Sequence, residues 1–190
     1  MTEQDAPGRG RPDANGTQPG PRIPYRELDE AQASTVLSRN GKPLNLFRVL
    51  AHHRRLLDRV TRLGGVFLRG ILPPEDRELV ILRSAWSTHC DYEFRQHIAL
   101  SRQLGLDVAQ LRSVAAGVVP GTGRQPVLVG VVDELVRDDR LSEPTWEVLN
   151  GQYAPDEILE IIAMVGFYRM LAGILNTVGV EVEDDLCDSG

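Results

Sequence analysis

Residues 77–106 read RELVILRSAWSTHCDYEFRQHIALSRQLGL, and the spacing of apolar and reactive residues in this stretch decides the fold. From Cys90 onward, Cys90, Glu93, His97, Leu100 and Leu104 fall at i, i+3, i+7, i+10 and i+14, the narrow stripe by which a helix faces a core. Upstream, Glu78, Leu82, Ala85 and His89 share one helical face. A turn near His89 to Asp91 would fold the two helices antiparallel and bring Glu78 to the pocket that the second helix faces. Pro73-Pro74-Glu75-Asp76 opens the first helix, since Pro suits a first turn and acids there meet the positive end of the dipole. Gly105 and Gly117 read as helix stops.

The helical period continues on both sides. From Tyr25 onward no strand-like alternation persists between turn signals, so the fold class is all-α. Helices are predicted over 27–38, 44–51, 54–69, 74–88, 91–104, 108–115, 126–137, 143–150 and 155–176. The last contains DEILEIIAMVGFYRMLAGILN, Asp156 to Asn176, with hardly any polar face between Ile158 and Leu175. It reads either as the central helix of a bundle or as part of a subunit interface, Gly166, Ala172 and Gly173 leaving room for another backbone.

The chain has 190 residues, of which 42% are hydrophobic and 25% charged, so the expectation is one domain with a real core. Residues 1–24 hold four Gly and five Pro among scattered charges, a composition that buries too little apolar surface to offset chain entropy, and are expected to be a disordered arm. The single helical domain is placed at 25–182, and 183–190 are read as an acidic tail. A formal charge of −6 and the lack of a basic run argue against nucleic acid. No uninterrupted apolar run reaches the roughly 18 residues of a membrane span, and no basic flank precedes an apolar stretch at the N-terminus; the expectation is a soluble cytoplasmic protein without membrane partners. The two cysteines, Cys90 and Cys187, are too few for a disulfide framework.

Three reactive groups on a core-facing stripe need an explanation, because a buried polar group without a partner costs roughly 1 to 3 kcal/mol. Glu93 and His97 are i, i+4, so the carboxylate can touch the imidazole and fix its ring. Cys90 stands at a helix start, where unpaired N–H groups lower a thiol's pKa, while the neighbouring Glu93 opposes that shift. About 10 Å of helix axis separates Cys90 from His97, which a water or a substrate could bridge. Singly, each has a plain reading: Cys90 as a small core hydrophobe, His97 as a satisfied core histidine, Glu78 as a dipole partner. Together they form a candidate catalytic set, Glu78, Cys90, Glu93 and His97. His52 and His53, among arginines, read as surface residues, and Cys187 as incidental. Trp86, Tyr92, Phe94 and Tyr168 are candidate substrate-binding residues, as good for a core as for a pocket wall.

The segment Arg77 to Leu106 resembles the carboxymuconolactone decarboxylase and AhpD-like family, whose signature is Glu, eleven residues, then Cys-x-x-Cys-x-x-x-His. Glu78, Cys90 and His97 match it, and the likeness extends from about Leu44 to Val182. The departure is Glu93, which occupies the position of the second, peroxide-reacting cysteine, so the dithiol cycle of the peroxidase members cannot run here. The resemblance implies an AhpD-like helical protomer assembled into homotrimers or homohexamers. The expected activity is cofactor-free and metal-free acid–base chemistry, namely decarboxylation, isomerisation or dehydration, on a small organic acid, lactone or enolisable carbonyl compound. In it His97 moves the proton, Glu93 orients it, Glu78 is a second acid or base, and Cys90 or Tyr92 donates a hydrogen bond. The alternatives are a one-cysteine peroxidase or thiol antioxidant using Cys90, and a non-catalytic binding or assembly protein.

Overall fold

The computed structural model describes residues 20–39, 41–119 and 121–187. Its elements in order are α1 (Glu30–Ala33), β1 (Ser38–Arg39), β2 (Lys42–Pro43), α2 (Asn45–Leu50), α3 (Arg54–Leu68), α4 (Pro74–Ser87), α5 (Asp91–Gln103), α6 (Val108–Ala115), α7 (Arg124–Asp138), α8 (Glu143–Asn150), α9 (Pro155–Val178) and α10 (Asp184–Cys187). The protein is a helical bundle whose one sheet among the described residues is the short antiparallel hairpin β1-β2, with Ser38 opposite Pro43. Where a helix was expected over 27–38, only α1 forms. Asp29 caps it, accepting from the Gln32 N–H at 2.8 Å, and Ser34 and Thr35 turn their hydroxyls back on the carbonyls of Ala31 and Gln32. Side chains that bond to nearby backbone in this way compete with helix continuation.

The centre of the bundle is α4, which packs against α5, α6, α7 and α9. Sequence periodicity favoured α9 for this place, because α9 is the more apolar. The chain can bury α4 nearly all round because its charges are answered inside the fold. The Arg77 guanidinium reaches Glu78 at 3.1 Å, and Arg124 of α7 reaches Asp76 at 3.0 Å. Farther along, Arg83 grips Asp133 of α7 through two bonds of 2.7 Å and also donates to the Ala115 carbonyl. Such paired charges can be buried where single ones cannot.

α9 buries Ile158, Ile161, Met164, Phe167, Tyr168 and Leu171 with other residues against α3, α4, α7 and α8. Leu159 and Met170 lie exposed on its opposite side. By length and composition α9 could cross a membrane; in this fold it is a core helix with one open face. Its end is set by Gly179 at φ +73, as Gly105 at +74 and Gly117 at +97 end α5 and α6, the left-handed closure that glycine alone adopts freely.

Both ends of the described chain are tied to the bundle. Of the arm expected at 1–24, residues 1–19 lie outside the described residues. Arg22 donates to the Val178 carbonyl at 2.7 Å, and the Pro24 carbonyl lies 2.8 Å from His52 Nε2. The stretch read as an acidic tail begins docked: Glu183 accepts from the Asn45 N–H at 2.7 Å and the Tyr92 hydroxyl at 2.9 Å, and Leu186 is buried.

Candidate active site

The turn between α4 and α5 sets the site. Cys90 N–H bonds back to the Ala85 carbonyl at 2.8 Å, His89 takes φ +53, and Asn176 of α9 donates to the Thr88 carbonyl at 2.9 Å. This is a left-handed helix closure run straight into a new helix, since Cys90 is already the N-cap of α5. The abrupt reversal lays α5 back along α4. Glu78 and His97, nineteen residues apart, meet at 2.8 Å between Oε2 and Nδ1. Glu78 is fully buried and also accepts from Arg77. Burial alone would raise its carboxyl, but the His97 ring and then Arg77 outweigh burial and hold it below the ordinary value. In the tautomer that this contact selects, the ring carries its proton on Nδ1 toward Glu78, and Nε2 is the other nitrogen.

Glu93 does something else. Sequence spacing placed it against His97; the structure gives His97 to Glu78 and leaves both Glu93 oxygens buried with no hydrogen-bond partner. Burial raises its carboxyl to about 8, only partly opposed by the Cys90 thiol. The two acids are thus driven in opposite directions, Glu78 toward the carboxylate and Glu93 toward the neutral acid.

At Cys90, of the two opposing influences read from the sequence, the one against the thiolate prevails. Cys90 is 1% exposed. Burial and then the Glu93 charge push its thiol up, and the Glu93 N–H at the helix start is too weak a counterweight. The helix-terminus effect is present and loses to desolvation.

Glu93 and His97 line a cavity of about 330 Å³ between α3 and α5, with Phe167, Tyr168 and Leu171 of α9 also in its wall. Residues Ser34 to Leu37 and Leu44, Leu46 and Phe47 contribute to it as well, so the broken helix after α1 becomes cavity wall. Tyr168 stands edge-on to the His97 ring, with centroids 5.1 Å apart. Burial and the two acids hold its phenol in the protonated form. Tyr92 lines the cavity with its ring, but its hydroxyl is committed to Glu183 and to the Leu46 N–H. Glu78 and Cys90 lie behind the lining, outside it. Trp86 and Phe94 are outside it too, packed on one another at 5.9 Å with Trp86 42% exposed. The stripe also ends early: Leu104 is exposed, while Ile98 and Ser101 turn inward, because a repeat of 3.5 drifts around a 3.6-residue helix.

Sequence reading missed the α3 wall, formed by Val60, Thr61, Gly64, Gly65, Leu68 and Arg69. The signal was the Gly64-Gly65 pair inside a helix, where each glycine costs up to about 1 kcal/mol and so marks a close approach. A Cβ on Gly64 would stand 3.3 Å from the Phe167 ring. Among the described residues no cluster of His, Cys, Asp and Glu has the make-up of a metal site.

An all-helical fold with a buried Glu–His pair beside a small cavity defines the class of protein. Residues 55–128 match the Carboxymuconolactone decarboxylase family, a segment that holds Glu78, Cys90, Glu93 and His97. That segment is less than half of the chain, and over it the chain is similar to this family. No curated protein matches the chain. Among solved structures it is similar to a peroxidase-related protein with an alkylhydroperoxidase AhpD core from Ralstonia eutropha JMP134, at 20% identity and a TM-score of 0.75, covering 90% of this chain and 96% of that one. It is also similar to a peroxidase-related protein from Silicibacter sp. TM1040, at 19% identity and a TM-score of 0.77, covering 95% and 98%. At such identities the likeness establishes the fold and leaves the activity open.

Proposed function

We propose that this protein is an acid–base enzyme, a lyase or isomerase needing no cofactor, acting on a small enolisable acid, lactone or carbonyl compound. The observation that carries this reading is the 2.8 Å contact of Glu78 with His97 at a cavity that His97 and Glu93 line, the two acids being driven to opposite ionisation. In this reading Nε2 of His97 takes a proton from a carbon next to a carbonyl group. Glu78, ionised and hydrogen-bonded to Nδ1, holds the ring and stabilises the imidazolium. Neutral Glu93 and the Tyr168 hydroxyl donate to the oxygen on which negative charge develops. Compared with the roles expected from sequence, the two glutamates exchange places, and Cys90 and Tyr92 give up their part as donors. The low exposure of Cys90 and its raised thiol make it a poor peroxide nucleophile and favour this reading over the thiol one. The cytoplasmic homotrimer or homohexamer remains part of the proposal, taken over from the family likeness.

The test uses α-angelica lactone, a small enolisable lactone, in D2O, following deuterium entry and double-bond migration by proton NMR. The wild-type protein is expected to accelerate both, His97→Ala and Glu78→Gln to lose about 100-fold or more, and Cys90→Ser to keep most of the rate. Exchange no faster than buffer in the wild type, or a full rate in His97→Ala, would overturn the proposal.

A further inference from the structure

The wall of the cavity contributed by α3 holds a cation that the proton-transfer reading does not use. Arg69 lines the cavity and has no carboxylate partner among the described residues. Elsewhere in the chain Arg48, Arg77, Arg83 and Arg124 all hold acids. Glu160, whose carboxylate lies beside Gly70, is occupied by the N–H groups of Ile71 and Leu72. Arg69 is exposed, yet one nitrogen of its guanidinium lies 2.8 Å from where a Cβ on Gly65 would stand. The guanidinium therefore folds back along its own helix into the space that Gly65 leaves empty, and Gly65 is itself part of the cavity wall.

The rest of the lining accentuates this charge. Among the described residues Glu93 is the only Asp or Glu of the lining, and with its carboxyl neutral below about pH 8 none of them balances Arg69. Arg69 itself is exposed, but two polar groups of the lining are buried and unanswered, the Thr61 hydroxyl and the Glu93 carboxyl, which is 3% exposed. Buried polar groups are nearly always paired, so these two in the lining, beside an exposed guanidinium, point to an occupant that pairs them. Between them lie Leu68, Phe167 and Leu171, which suit an apolar body. A planar carboxylate matches the fork of a guanidinium through two parallel hydrogen bonds.

We propose that Arg69, seated in the gap at Gly65, is the specificity-determining residue of the cavity and selects a small organic carboxylate, holding its anionic end while the apolar body lies against Phe167 and Leu171. The proposal rests on the proton-transfer reading only for what happens next, when the carbon to be deprotonated faces His97.

The test is a binding titration that needs no turnover, with phenylacetate and its uncharged amide, phenylacetamide, as probes and the His97 ring resonances as readout. The wild-type protein is expected to bind phenylacetate at least tenfold more tightly than the amide. Arg69→Gln is expected to weaken phenylacetate at least tenfold and the amide less than twofold. Arg69→Lys should restore part of the loss, and Gly65→Ala, which displaces the guanidinium without removing it, should weaken phenylacetate in the same selective way. No preference for phenylacetate in the wild type, or an equal loss of both probes in Arg69→Gln, would overturn it. Failure of the proton-transfer reading would instead appear in the lactone assay with His97→Ala, which carries no information on this preference.

Discussion

Glu93 occupies the position at which the family signature has its second cysteine, and the exchange alters more than redox capacity. A carboxyl group 3% exposed, with no partner for either oxygen, keeps its proton up to about pH 8, where an ordinary one would lose it near 4.5. The folded chain therefore holds a proton that the unfolded chain has released, and this contribution to stability falls as pH rises from about 4.5 through about 8. Glu93→Gln removes the penalty. Thermal unfolding of the two proteins should diverge in favour of the variant between pH 5 and pH 8.5, by on the order of 3 kcal/mol at the upper end. Parallel profiles would mean that Glu93 is ionised and solvated in the fold. The i, i+4 spacing of Glu93 and His97 showed that they could meet but could not show that Glu78 would claim the ring. That outcome depends on how α4 and α5 lie on one another, a relation outside the period of either helix.

At the level of elements, the short reversal from Thr88 to Cys90 brings Glu78 to His97. His89 takes φ +53 there, a conformation that costs a residue with a side chain roughly 1–2 kcal/mol. The surrounding bonds impose it: Cys90 N–H to the Ala85 carbonyl, and Asn176 to the Thr88 carbonyl. His89→Gly, at an exposed position, is expected to raise the free energy of urea unfolding by about 1 kcal/mol, after allowance for the added freedom of the unfolded chain. A loss of stability would show that the His89 side chain makes a contribution the backbone geometry does not contain. Helix positions were largely legible because 3.6-residue periodicity and the Pro and Gly signals are local. The break after α1 was not, because the side-chain bonds of Asp29, Ser34 and Thr35 compete with a helical pattern that remains intact in sequence.

Across the whole molecule, the C-terminal end of the described chain reaches the cavity wall. Glu183 takes the Tyr92 hydroxyl, the Asn45 N–H and the Gln96 amide, and Tyr92 and Gln96 belong to the lining. The C-terminal segment is thereby part of the scaffold that holds the first turn of α5. A double-mutant cycle of Tyr92→Phe and Glu183→Gln should give a coupling energy of about 1 to 2 kcal/mol in chemical denaturation. Additive effects would reduce the segment to a loosely apposed tail.

The sequence by itself determined the helices, most of their ends and the group of residues that contains the reactive pair, since all of these follow from spacing along one chain. Only the tertiary structure decided which acid binds His97, that Cys90 is sealed off, that Arg69 faces the cavity, and that α4 rather than the more apolar α9 stands at the centre. Each of those outcomes depends on desolvation and on partners many residues away, and both are fixed only once the helices have packed.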